Sequence, residues 1–105
     1  MNILFDQGTP QPLKHHLSEH NVETAYEKGW SDLKNGDLLE KAEQSGYDLL
    51  VTTDQNLRYQ QNLAGRKLAI VVLMSTSWPR IKASVNKIRK IVGAVTPSSY
   101  QEIQV

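Results

Sequence analysis

Seven consecutive apolar residues, Leu68-Ala69-Ile70-Val71-Val72-Leu73-Met74, constrain this chain more than any other feature. A strand with one wet face alternates apolar and polar side chains. An uninterrupted run rich in β-branched residues instead predicts a central strand buried on both faces, the situation of strands in helix-covered parallel sheets. Parallel neighbours require crossover connections, so helices are expected between the strands.

The rest of the chain follows that rhythm. Ile3-Leu4-Phe5 reads as a first strand. Thr9 as cap and Pro10 at the first helical position open a helix through Leu13 and Leu17, ending near His20-Asn21. Val22–Tyr26 is a weak second strand, and residues 28–34 lack periodicity and read as a loop. Asn35 caps a helix with the apolar stripe Leu38, Leu39 and Ala42, which Gly46 ends. Asp48–Thr53 is the third strand. Asp54 caps a short helix carrying Leu57, Tyr59 and Leu63, closed by Gly65. Pro79 opens a helix with Ile81, Val85, Ile88, Val92 and Val95 on one stripe, and Tyr100–Val105 alternates like an edge strand. The order is β-α-β-α-β-α-β-α-β. It predicts a three-layer α/β fold, a mostly parallel sheet of four to five strands flanked by helices, in one domain spanning residues 1–105.

No cysteine is present, which removes disulfides, thiolate metal sites and thiol nucleophiles. No apolar stretch approaches the roughly 20 residues that span a bilayer, and the first residues lack a basic, cleavable leader pattern. A soluble cytoplasmic protein without a membrane partner is expected. Residues 1–54 carry a net charge of −6 and residues 55–105 one of +7. Such asymmetry points to an anionic partner if the bases share a face, or simply to two halves that attract each other.

Two apolar runs end on carboxylates, Asp6 and Asp54. In an open parallel sheet the carboxyl ends of strands gather ligands and reactive groups. Each acid also has a plain structural account, Asp6 as a turn residue and Asp54 as a helix cap. Two carboxylates at one edge repel unless a hard cation such as Mg²⁺ or Mn²⁺ lies between them. Asp37, in the first helical turn, is a candidate third acid, and the amides of Asn35 and Asn56 are placed to orient a metal-bound water. Arg58 and Arg66 are candidates for gripping a nucleic-acid backbone. His16 and His20 have helical spacing but lack the rest of a zinc signature, and no glycine-rich phosphate loop exists.

These pieces resemble the PIN-domain superfamily, in particular its short bacterial members, which are predicted toxin-antitoxin nucleases related to VapC. The resemblance rests on Ile3-Leu4-Phe5-Asp6 with the helix after Thr9-Pro10, on Asn35-Gly36-Asp37-Leu38-Leu39, and above all on Leu50-Val51-Thr52-Thr53-Asp54-Gln55-Asn56-Leu57 before the strand Ala69–Leu73. It implies a Mg²⁺- or Mn²⁺-dependent endoribonuclease in which Asp6, Asp54 and Asp37 hold the metal. Thr52 matches the hydroxyl residue two positions before the acid. It also implies RNA as substrate and an antitoxin protein as partner. The chain departs from the pattern at Asn35 and Asn56, where the family usually has acids. That departure opens an alternative, a catalytically weak or inactive PIN-like interaction domain. A receiver-like phospho-acceptor module, with Asp54 as acceptor, is a further alternative. Exposed Trp30 and Trp78 would give such a domain a homodimer surface.

Overall fold

The computed structural model describes residues 1–60, 63 and 65–105. Five parallel strands, β1 (Asn2–Phe5), β2 (Asn21–Thr24), β3 (Leu49–Thr52), β4 (Ala69–Leu73) and β5 (Tyr100–Ile103), form one sheet in the order β2-β1-β3-β4-β5. Every residue of β3 and β4 is buried, as the apolar run predicts for strands covered on both sides. Leu50 pairs with Leu4 on one side and Ile70 on the other.

Side-chain alternation along these strands sorts the core into two layers. On one face, Leu4, Leu50, Ile70 and Val72 pack with Leu38, Leu39 and Ala42 of α1 (Asn35–Gln44) and Leu57 of α2 (Leu57–Gln60). On the other, Ile3, Phe5, Val51, Val71 and Leu73 meet Leu13 and Leu17 of a 3₁₀ helix (Gln11–Leu17), Ile81 of α3 (Trp78–Ala83), and Ile88 and Val92 of α4 (Val85–Gly93). The architecture is a three-layer α/β sandwich.

The structure corrects several expectations. The first helix is 3₁₀, because Pro10 and Pro12 withhold two N–H donors and Leu13 N–H bonds back to Pro10 at 3.1 Å. Thr9 does not cap it; its side chain is used elsewhere. Lys34, not Asn35, precedes α1, without a side-chain cap bond, while Gly46 (φ 85°) closes that helix as predicted. The α2 prediction up to Gly65 falls partly outside the described residues.

The last predicted helix is two, broken at Ser84, whose φ of −108° and ψ of 12° leave the helical region. Serine offers the backbone competing hydrogen bonds and is a weak interior helix residue. The apolar stripe survives the break, with Val85 and Val95 half-buried beside the core. Trp30 packs edge-on against Tyr47, and Trp78 lies 5.9 Å from the His16 ring. Both indoles are half-buried against residues of their own chain. Among the described residues, no helix is long and apolar enough to cross a membrane.

Candidate site at the carboxyl edge of the sheet

The strand order reverses direction between β1 and β3. In open α/β sheets that switch point leaves a crevice at the carboxyl ends of the strands, where ligands bind. Asp6 follows β1 and Asp54 lies two residues beyond β3, so both acids stand at this point.

Thr52 joins them. Its buried hydroxyl donates to Asp6 Oδ2 and accepts from the Asp54 backbone N–H at 3.0 Å. Asp6 Oδ1 accepts from the Thr9 backbone N–H at 3.1 Å and lies 2.7 Å from the Thr9 hydroxyl. That same hydroxyl lies 2.8 Å from the Val51 carbonyl. One hydroxyl carries one proton, and here it faces two acceptors. A proton on Asp6 resolves the conflict, because the carboxyl can then donate to Thr9 while Thr9 donates to Val51. Burial likewise pushes the Asp6 carboxyl above its ordinary value of 3.8, against the opposing effect of its hydrogen bonds from Thr52 and Thr9.

Asp54 is held from two directions. The Asn35 side-chain amide donates to its Oδ2 at 2.6 Å, across from the first residue of α1. The Asn56 backbone N–H donates to its Oδ1 at 2.9 Å, an Asx turn leading into α2. The glycine of the β1 loop also has a local reason. A Cβ on Gly8 would lie 2.5 Å from the Thr53 hydroxyl, so the loop packs this closely on Thr53, just beyond β3, only without a side chain.

Asp6 opens onto a small cleft of about 100 Å³, lined also by Gln7, Thr9, Gln11, Thr24 and Tyr26. Asp37 is elsewhere. It is exposed and borders a separate groove with Leu33, Glu40, Lys41 and Gln44 on the outer side of α1. Among the described residues, no three His, Asp or Glu side chains gather into a metal-holding group. The site therefore unites Asp6, Thr52, Asp54 and Asn35 with the backbone of Asn56, and leaves Asp37 out.

Both arginines pair with glutamates. Arg66 precedes β4 and pairs with Glu43 at 3.4 Å near the end of α1, at the edge opposite the acids. Arg58 turns toward Glu102 of β5 at 3.5 Å and toward the Tyr59 hydroxyl at 2.5 Å. Sequence reasoning missed Thr9 as a site residue. Its signal was present, since a hydroxyl three residues after an acid is a common side-chain partner for a turn aspartate. Tyr26 had no such signal.

No family model, curated protein or solved structure matches this chain.

Proposed function

We propose that the chain is a divalent-metal-dependent ribonuclease of the PIN-like kind, acting on RNA in the cytoplasm, with an antitoxin protein as its natural partner. The observation that carries this reading is the Thr52 hydroxyl, which links the Asp6 carboxyl to the backbone N–H of Asp54 at the switch point of the sheet.

The donor set fits a Mg²⁺ or Mn²⁺ ion. Each ionised carboxylate oxygen offers two lone-pair sites. Asp6 Oδ2 and both Asp54 oxygens each accept one of the hydrogen bonds described above. Mg²⁺ is commonly held by one or two carboxylates plus waters and substrate phosphate, so two acids suffice. Asp6 and Asp54 would hold the ion, which supplies charge stabilisation and an acidified water for phosphodiester hydrolysis.

The chain's own residues do the positioning. Thr52 and Thr9 fix the Asp6 carboxyl, and burial disfavours its ionised form, which a bound cation would favour. Asn35 orients Asp54 through its side-chain amide.

The test is cleavage of labelled RNA with Mn²⁺ or Mg²⁺, alone and after Asp6→Asn or Asp54→Asn. Metal-dependent cleavage lost in both variants is the expected result. A melting temperature that rises with Mn²⁺ and no cleavage of any RNA would favour the non-catalytic interaction module.

One observation favours a second reading. The strand order β2-β1-β3-β4-β5 is that of flavodoxin-like folds, including receivers. Asp54 then becomes a phospho-acceptor. Acetyl phosphate and intact-mass measurement decide: no adduct on Asp54 removes this alternative.

A further inference from the structure

Tyr26 is 81% exposed, more than any other large apolar or aromatic side chain described. It is not on a loose segment. Ala25 N–H bonds Phe5 carbonyl at 2.8 Å, Trp30 N–H bonds Ala25 carbonyl at 2.8 Å, and Gly29 N–H bonds Tyr26 carbonyl at 3.0 Å. Glu27 N–H bonds the Thr24 hydroxyl at 3.1 Å. The chain therefore holds the ring in water on a tightly bonded turn at the end of β2. The ring borders the same cleft as Asp6.

We propose that Tyr26 is a base-stacking platform for single-stranded RNA, seating one base beside the Asp6 cleft so that the adjoining phosphodiester lies at its mouth; this inference rests on the nuclease reading above. Three observations support it. The cleft holds about 100 Å³, below the roughly 300 Å³ at which pockets begin to enclose ligands, so a base has to lie outside on an exposed surface. The other exposed side chains bordering it, Gln7 and Gln11, carry amides that both donate and accept, the chemistry of base edges rather than of phosphate. The ring also stands among exposed polar residues, with Gln7, Gln11, Glu27 and Lys28 nearby in the chain or cleft, so it does not form the contiguous apolar patch of a protein-docking surface.

Stacking needs an unpaired base, which makes single strands the substrate class. The experiment measures Mn²⁺-dependent cleavage of a fluorescein-labelled single-stranded RNA of mixed sequence, and of the same RNA annealed to its complement. Tyr26→Ala raises KM about tenfold with kcat little changed, Tyr26→Trp restores KM, and the duplex is a poor substrate. Circular dichroism of Tyr26→Ala matches the parent, because the ring buries almost nothing.

Two results overturn the proposal while leaving the nuclease reading intact: an unchanged KM in Tyr26→Ala, or equal cleavage of duplex and single strand. If Tyr26→Ala instead alters sedimentation and not KM, the ring serves a protein contact and the proposal fails. If the parent protein cleaves neither RNA, the nuclease reading itself fails, and the platform with it.

Discussion

The Asn35 side-chain amide lies 2.6 Å from Asp54 Oδ2, tying the start of α1 to the acid that follows β3. An amide at this position does two things that a carboxylate would not. It lends Asp54 a hydrogen-bond donor, and it removes the need for a cation between two acids. Asn35 therefore holds Asp54 in place by a neutral donor, which a second acid at this position could not do at neutral pH.

In Asn35→Asp, two half-buried carboxylates face each other and the donated bond is lost, so the metal-free protein becomes less stable by about 2 kcal/mol. Mn²⁺ offsets that loss. Denaturant midpoints with and without Mn²⁺ measure it: the metal-induced gain is expected to be larger in Asn35→Asp than in the parent. An equal gain would mean that Asn35 does not face the ion.

Thr52 gives a second prediction. Thr52→Val keeps the shape but strips the hydroxyl from between Asp6 and the Asp54 N–H, leaving both with one partner fewer. The cost is about 1–3 kcal/mol, which lowers the melting temperature by roughly 5–20 °C in a domain of this size. Thr52→Ser, which keeps the hydroxyl, is expected to stay nearer the parent in both melting temperature and cleavage. The reverse order would show that the Thr52 methyl, not its hydroxyl, matters.

Asp6 makes stability depend on pH. Its folded carboxyl is raised above 3.8, mainly by burial, so the folded state binds the proton more tightly than the unfolded chain does. The stability this contributes is fully present below pH 3.8 and is lost as pH rises through the folded value. Asp6→Asn has no proton to lose there. Urea midpoints of the two proteins, followed upward from pH 3.8 without metal, are expected to show the parent falling relative to Asp6→Asn. Saturating Mn²⁺ should flatten the difference, since a bound cation favours the ionised carboxylate. Parallel curves without metal would dispose of the idea.

The fold was legible because its signal is collective. The unbroken run ending at Met74 and the alternation of strands with helical stripes leave few architectures other than a covered parallel sheet. Asp6, Thr52 and Asp54 were legible for a related reason, since strand ends share one edge whatever the details. Residues whose role depends on which way a side chain turns were not. Asp37 is two positions from Asn35, yet a helix rotates about 200° over two residues, so it borders a groove away from Asp54. Arg66 follows Asp54 closely in sequence, but it stands before β4, at the other edge of the sheet. Capping is the commonest use of a residue such as Thr9, but here the half-buried Asp6 carboxyl engages its hydroxyl instead.

The charge division of the sequence takes on a different meaning beside the site. Every hydrogen bond described for the Asp6 and Asp54 carboxylates comes from residues 9–56. The second half, which holds most of the bases, contributes β4, β5 and the helices that cover them. Natural variation in the two halves is therefore felt through different channels. Substitutions at Thr9, Asn35 or Thr52 act on the two acids directly, whereas those in β4, β5 and the helices that cover them act through the fold and so on how many folded molecules a cell keeps.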